Sequence, residues 1–131
     1  MIKFEKTLKI CDNLRMENPI KKLTGDIVNF RNKRKWKQFH NPKDLSLSLV
    51  LEACEVMEHF QWKRPEEIES YVKQNRSEIS EEIADVFYWV LLLSHDLKID
   101  IVGALEKKME INNKKYPVSK AKGKSTKYNK L

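Results

Sequence analysis

Glycine and cysteine are scarce in this chain of 131 residues, which contains three glycines and two cysteines. The GxGxxG dinucleotide fingerprint and the Walker A phosphate loop are both absent. Cys11 and Cys54 are too few for a disulfide framework and lack the CxxC spacing of a zinc site. The N-terminus has no hydrophobic stretch typical of a signal peptide, and the longest apolar run, residues 86–93, is too short to cross a bilayer. We therefore expect a cytoplasmic protein that does not bind membranes.

Charge of both signs is abundant but unevenly distributed. The formal net charge is +7, with five basic residues and no acid in the segment 31–37. The segment 107–131 carries nine basic residues and one acid. Between them, the segment 52–85 holds ten acids against four bases. The basic ends alone are typical of nucleic-acid binding, whereas the acidic middle requires a different explanation.

Apolar residues recur with helical spacing along most of the chain, and no alternating β pattern competes. We predict an all-α bundle of four to five main helices. A short amphipathic helix would precede it, on Phe4, Leu8 and Cys11. Asp26 is the expected N-cap of the next helix, and Asp100 that of the last. The predicted ranges of the remaining helices are 45–61, 66–74, 78–96 and 101–116.

The predicted helices 45–61 and 78–96 are apolar on most sides, which is typical of helices buried among others. Each carries two acids three positions apart, Glu52 with Glu55 and Glu82 with Asp85, so each pair shares one helix face. Neither pair has a lysine or arginine four residues further on. Because an unpaired buried carboxylate costs several kcal/mol, we expect a cation beside them.

One such pair alone would favour an ordinary solvated helix face. Two pairs on apolar helices are better explained by a bound metal ion. Ligation by oxygen alone favours Mg²⁺, for which Mn²⁺ can substitute. We therefore predict that the four acids form a metal site.

These acids and their surroundings resemble the ExxE…ExxD signature of the MazG-like superfamily of all-α nucleotide pyrophosphohydrolases, and most of all its dCTP pyrophosphatase branch. The matching strings are WKQFHNPKDL (36–45), FQWK (60–63), EEIADV (81–86), KKMEINNKKYPV (107–118) and KYNKL (127–131). Leu51 stands where MazG itself has a second acid. Ile27 and Trp89 replace a histidine and a tyrosine of the animal enzymes of that branch. The resemblance implies a MazG-like pyrophosphohydrolase domain (24–117) followed by a basic arm (118–131). Residues 1–23 have no counterpart in it, and we expect them to form an N-terminal helical extension.

The reaction implied by the resemblance is Mg²⁺-dependent hydrolysis of dCTP to dCMP and pyrophosphate, with 5-modified dCTP as a further substrate. Glu52, Glu55, Glu82 and Asp85 would hold the metal and supply the catalytic carboxylates. The implied partners are the nucleoside triphosphate and further copies of the chain, as a homotetramer built from dimers. The expected substrate-binding residues are Trp36, Lys37, Gln38, Phe39, His40, Trp62, Trp89, Lys108, Asn112, Lys115 and Tyr116.

Two other functions stay open at this point. Ile27 and Trp89 leave room for the same chemistry on dUTP or on other canonical or oxidised nucleotides. The basic segments 31–37 and 107–131 leave room for nucleic-acid binding, which would need no Mg²⁺ and would weaken steeply with salt. We rank nucleic-acid binding last, because four acids without a metal would repel phosphate.

Overall fold

The fold was analysed in a computed structural model, which describes residues 18–130. These residues contain no β-strand, so the predicted all-α class is confirmed. The helices are α1 (Pro19–Lys33), α2 (Pro42–Glu58), α3 (Pro65–Gln74), α4 (Arg76–Asp96), α5 (Ile101–Lys115) and α6 (Val118–Ala121). Two short 3-10 helices, Trp36–Phe39 and Tyr128–Lys130, complete them. Within the same residues, no helix combines the length and apolarity that a membrane span requires.

The chain divides into two compact units, Met1–Leu93 and Ser94–Leu131. The helix predicted on Phe4, Leu8 and Cys11 lies outside the described residues. The domain boundaries expected after residues 23 and 117 stay predictions.

Helix α1 begins seven residues earlier than its expected N-cap at Asp26, so that prediction is wrong. The side chain of Asn18 caps the helix, because its Oδ1 accepts hydrogen bonds from the backbone N–H groups of Ile20 (3.0 Å) and Lys21 (3.4 Å). Proline fits the first helical position, since it has no N–H to leave unsatisfied there. Asp26 lies inside the helix and pairs with Lys22 at 2.7 Å.

Helix α2 also begins and ends earlier than the predicted 45–61. Its N-cap is Asn41, whose Oδ1 accepts from the backbone N–H of Asp44 at 3.1 Å. Pro42 then takes the first helical position. Helices α3, α4 and α5 follow their predicted ranges to within two residues.

The core of the first unit is small. Leu45 of α2 and Ile79, Leu91 and Leu92 of α4 are buried. Other apolar residues of these two helices are exposed, namely Leu47, Val50, Leu51, Met57, Ile83 and Phe87. The prediction that both helices are buried on most sides is therefore wrong for the single chain. The apolar pattern shows which faces avoid water, but one unit of this size does not supply enough neighbours to cover them all.

Helix α5 in the second unit has the predicted N-cap. Asp100 accepts a hydrogen bond from the backbone N–H of Gly103 at 3.2 Å. A Cβ at residue 103 would lie 2.5 Å from Oδ2 of Asp100. Glycine is therefore favoured at this position because it leaves room for the capping carboxylate.

Replacing Asp100 by alanine is expected to lower the free energy of unfolding by about 1 kcal/mol, because the first turn of α5 loses its side-chain acceptor. Urea titrations followed by circular dichroism would measure the change. Asp100→Asn is the matched control, since asparagine caps helices as well as aspartate does. Equal losses in the two variants would contradict a capping role.

Two lysines adopt left-handed backbone conformations. Lys35, with φ of 56°, lies between α1 and the 3-10 helix, and Lys98, with φ of 57°, follows α4. The carbonyl of Lys35 accepts a hydrogen bond from the side-chain amide of Gln38 at 3.0 Å. At the other turn, the N–H of Ile99 donates to the carbonyl of Ser94 at 2.9 Å and closes the end of the helix. Each turn thus has a hydrogen bond next to or around a backbone position that favours glycine.

Candidate metal and nucleotide site

Three carboxylates from two helices meet in the first unit. Glu52 of α2 and Glu82 and Asp85 of α4 each offer one oxygen, and these oxygens all lie within 4.8 Å of one another. Glu82 and Asp85 reach the same place because residues three apart share a helix face. Glu52 and Glu82 are half-buried and Asp85 is exposed. We call these three residues the acidic cluster.

Glu55 stands beside the acidic cluster. The negative charge of Glu82 is the main cause that raises the pKa of Glu55 above its usual value. Loss of solvation, a hydrogen bond with Glu82 and the charges of Glu58 and Asp85 act in the same direction. The sequence predicted buried carboxylates, whereas Glu55 and Asp85 are exposed. Access to water lowers the cost of bringing these acids together, yet their mutual repulsion persists.

The acidic cluster suits a hard divalent cation. Oxygens bound to one octahedral Mg²⁺ lie roughly 3–4 Å apart, so small side-chain rotations would bring the three carboxylates to that spacing. In residues 18–130, neither the cluster nor Glu55 forms an ion pair with lysine or arginine. A cation would relieve the repulsion that the pKa of Glu55 reports.

An aromatic pocket of about 560 Å³ adjoins the acidic cluster. This volume falls within the range of small-molecule binding sites. Glu52 and Asp85 of the acidic cluster form part of the pocket wall. If a cation bound to the cluster held the anionic part of a ligand, a ring attached to that part could enter the pocket. Its lining residues are Asp26, Ile27, Phe30, Trp36, Glu52, Asp85, Tyr88 and Trp89.

A smaller, polar pocket of about 280 Å³ includes Glu55 and Glu82 in its wall, together with Glu58, His59 and Tyr71. His59 Nδ1 and the hydroxyl of Tyr71 lie 2.9 Å apart, within hydrogen-bonding distance. His59 was not singled out from the sequence. It is the C-cap of α2 and lies four residues after Glu55, a spacing that places both side chains on one side of the helix.

Trp89 lies one turn after Asp85 and lines the aromatic pocket, as that spacing predicts. Its indole N–H donates a hydrogen bond to Oε1 of Glu52 at 3.2 Å. The ring packs edge-to-face against His40 at 5.6 Å and against Tyr88 at 5.0 Å between centroids. Trp89 thus contacts both the acidic cluster and the segment that follows the first 3-10 helix.

The other residues predicted to contact the base or sugar differ in how close they lie to the aromatic pocket. Trp36 lines the aromatic pocket, and His40 reaches it through Trp89. Lys37, Gln38 and Phe39 are exposed, and among the described residues they line neither pocket. Trp62 is 85% exposed and also lies outside both linings.

The remaining predicted residues belong to the second unit, where they surround the end of α5. Tyr116 donates its backbone N–H to the carbonyl of Asn112 at 2.8 Å and contacts the ring of Tyr128 at 5.9 Å. The ammonium group of Lys115 lies 4.7 Å from the centre of the same ring. Lys108 is exposed on this helix. A role of these four residues in substrate binding stays a prediction.

Three pocket residues were not anticipated from the sequence. Asp26 and Phe30 lie beside Ile27 on α1, a segment whose apolar spacing predicts a helix but not a pocket. Tyr88 carries no local signal. Burial raises the pKa of its hydroxyl, and the charges of Arg31 and Arg34 partly oppose that effect. The guanidinium of Arg34 in turn lies 3.5 Å from the ring centre of Phe30.

Similar proteins include dCTP pyrophosphatase 1 of Bos taurus and of Homo sapiens. Each is 36% identical to the chain over 104 residues, or 78% of its length. The chain spans 62% of the bovine protein and 61% of the human one. A pyrophosphatase of known structure from Archaeoglobus fulgidus superimposes with a TM-score of 0.75 at 35% identity. That match covers 79% of the chain and 96% of the archaeal protein.

The family assignment rests on a family model. The model of the MazG-like family matches residues 47–131, which include all four acids and the whole of α5. The resemblance seen in the sequence is thereby confirmed, and so is the fold it implies. The chain belongs to the MazG-like family.

Proposed function

We propose that the protein is a nucleoside triphosphate pyrophosphohydrolase that hydrolyses dCTP, and its 5-modified forms, to dCMP and pyrophosphate in the presence of Mg²⁺. The observation that carries this proposal is the position of three converging carboxylates beside an aromatic pocket. The acids suit the metal that a triphosphate requires, and the pocket suits a nucleobase. The curated relatives are dCTP pyrophosphatases, which favours cytosine as the base.

Glu52, Glu82 and Asp85 would hold the cation, with Glu55 beside them. When bound, Mg²⁺ would polarise the phosphate oxygens and lower the pKa of a water molecule. The bond cleaved joins the α- and β-phosphates, and the water supplies the oxygen and protons that complete dCMP and pyrophosphate. The carboxylates of the chain would accept the proton that this water releases.

The aromatic pocket would hold the base. Trp36 and Trp89 offer ring faces, and stacking of a base on an aromatic side chain contributes about 1–3 kcal/mol. His40, which packs on Trp89, would hydrogen-bond the base or sugar. We retain Lys37, Gln38, Phe39 and Trp62 as further substrate contacts, because the resemblance places them at the nucleotide.

We retain Lys108, Asn112, Lys115 and Tyr116 of the second unit as phosphate contacts, because the resemblance implies this role. Lys108 and Lys115 would offset the negative charge of the phosphates, and Asn112 and Tyr116 would hydrogen-bond them. This assignment makes residues 24–117 the catalytic domain, with the segment 118–131 as a basic arm and residues 1–23 as an N-terminal extension.

Self-association into a homotetramer built from dimers is part of the proposal. The exposed apolar residues of α2 and α4 support it, because water-exposed apolar faces of this kind mark interaction surfaces. The function would place the protein in the cytoplasm, where the nucleotide pool is formed.

A second candidate keeps the reaction and changes the nucleotide to dUTP or to another canonical or oxidised triphosphate. Ile27 and Trp89 both line the aromatic pocket, at positions where the resemblance implies a histidine and a tyrosine. Nucleic-acid binding remains a third candidate. It is supported by the basic segments alone and leaves the acidic cluster without a role.

Product analysis would test the function. The protein is incubated with Mg²⁺ and, separately, with dCTP, 5-methyl-dCTP, dUTP, dTTP, dATP, dGTP and CTP, and monophosphate and pyrophosphate are quantified. We expect Mg²⁺-dependent release of dCMP and pyrophosphate, with dCTP or its 5-methyl form as the fastest substrate. Preference for another nucleotide would favour the second candidate. Absence of turnover on all seven would overturn the enzymatic proposal.

A further inference from the structure

The N–H group of the Trp89 indole is positioned to act on a carboxylate rather than on a base. It donates to Oε1 of Glu52 at 3.2 Å, a bond that joins α4 to α2. Both side chains are half-buried, so water competes only partly for this bond. An indole N–H can donate one hydrogen bond and accept none. While it is bonded to Glu52, it is therefore not available to a nucleobase.

The acceptor is one of the three carboxylates of the acidic cluster. A hydrogen bond to an ionised carboxylate is stronger than one between neutral groups. Groups that hydrogen-bond the ligands of a metal fix the orientation of those ligands, and removing them commonly weakens metal binding by about 10–100-fold. Glu82 and Asp85 share one helix, whereas Glu52 comes from another and depends more on such a partner.

Packing holds the indole in place. Its ring meets His40 and Tyr88 edge-to-face, at centroid distances of 5.6 and 5.0 Å. Because these two contacts hold the tryptophan ring, its N–H points in one direction. The ring therefore loses little rotational freedom when the hydrogen bond to Glu52 forms.

We propose that Trp89 is a positioning residue that orients the Glu52 carboxylate for the divalent cation. This inference rests on the metal site proposed above, and it adds to the base stacking proposed for the ring face of Trp89.

The test measures binding of Mn²⁺ to the full-length, nucleotide-free protein at pH 8 by electron paramagnetic resonance. Trp89→Phe keeps an aromatic ring and removes the donor, and we expect its Kd for Mn²⁺ to rise by about 10–100-fold. Trp89→His restores a ring N–H that is neutral at this pH, so we expect it to recover part of the affinity. Ser80→Ala is the matched control. It removes an exposed hydrogen-bonding group from the same helix, one that donates to the carbonyl of Arg76, and it lies outside the acidic cluster and both pocket linings, so we expect the Kd to stay unchanged.

A second measurement needs no variant that might fold poorly. The chain has three tryptophans, so the nuclear magnetic resonance spectrum contains three indole N–H signals, and the Trp89→Phe spectrum identifies the one to follow. In the wild-type protein, Mg²⁺ is expected to shift the Trp89 signal more than the other two. If Trp89→Phe proves unfolded, Trp89→His provides the same assignment.

The outcomes separate the two proposals. Failure of the wild-type protein to bind Mn²⁺ would overturn the metal site itself, and this inference with it. Normal binding by the wild type and equal binding by Trp89→Phe would overturn the positioning role alone. A Trp89 signal that Mg²⁺ does not move would do the same. A weakened Trp89→Phe that Trp89→His fails to improve would point to lost packing and would also count against the inference.

Discussion

Glu82→Gln is expected to lower kcat for dCTP by more than about 100-fold while the helices remain folded. Glu82 belongs to the acidic cluster and is also the main cause of the raised pKa of Glu55. Loss of a group that only supports a metal ligand costs about 10–100-fold, so loss of a ligand itself should cost more. Glutamine keeps the size of the side chain and removes its charge. Steady-state release of pyrophosphate at saturating Mg²⁺ would measure the effect.

Glu81→Gln is the matched control for this variant. Glu81 is the preceding residue on the same helix, it is exposed, and it lies outside the acidic cluster. It makes the same change in net charge, so a general electrostatic effect would appear in both variants. Near-normal turnover by Glu82→Gln, with circular dichroism unchanged in both, would refute the catalytic role of the cluster.

The second large effect concerns stability. Mg²⁺ at 100 times its Kd is expected to raise the free energy of unfolding by about 2.7 kcal/mol, because it binds the folded cluster and not the dispersed acids of the unfolded chain. Thermal or urea unfolding in Mg²⁺ and in chelator would measure the difference. The gain should grow with the logarithm of the metal concentration above the Kd. Ca²⁺ or Na⁺ at matched ionic strength would distinguish specific binding from charge screening.

The sign of the accompanying pH dependence follows from Glu55. Its pKa is higher in the folded than in the unfolded chain, so the folded state binds the proton more tightly. The resulting stabilisation is complete below the unfolded pKa and is lost as the pH rises through the folded one. Metal-free protein should therefore become less stable across the pH range just above the ordinary glutamate pKa, and Mg²⁺ should offset this loss.

Glu82→Gln also checks the stability effect. In chelator the variant should be more stable than the wild type, because the main charge that opposes ionisation of Glu55 is gone. It should gain little from Mg²⁺. An equal gain from Mg²⁺ in variant and wild type would mean that the ion stabilises the protein at another place.

Helix positions could be predicted well from the sequence, and their ends less well. The spacing of apolar residues located α3, α4 and α5, and Asp100 was identified as a cap because it directly precedes an apolar run. At α1 two capping signals competed. Asp26 precedes an apolar run, but Asn18 precedes a proline and accepts the hydrogen bonds, which leaves Asp26 to pair with Lys22 inside the helix.

The acidic cluster could be anticipated because both acid pairs follow the local geometry of one helix turn. The residues from distant segments that surround the acidic cluster could not be anticipated. Tyr88 and Tyr71 reach the two pockets only through the packing of helices, and the bond between Trp89 and Glu52 spans 37 positions of sequence. Periodicity identified the apolar faces of α2 and α4 but not what covers them, and in the single chain many of their residues are exposed.

The two lysines with left-handed backbone conformations bear on the amino-acid composition of the chain. At Lys35 and Lys98 the backbone adopts a conformation that costs a residue with a side chain about 1 kcal/mol and costs glycine almost nothing. The chain has only three glycines, and lysine occupies two turn positions whose backbone conformation favours glycine. The positive charge of these two lysines is therefore not needed for the backbone conformation of the turns. Glycine at both would reduce the net charge from +7 to +5 without straining either turn.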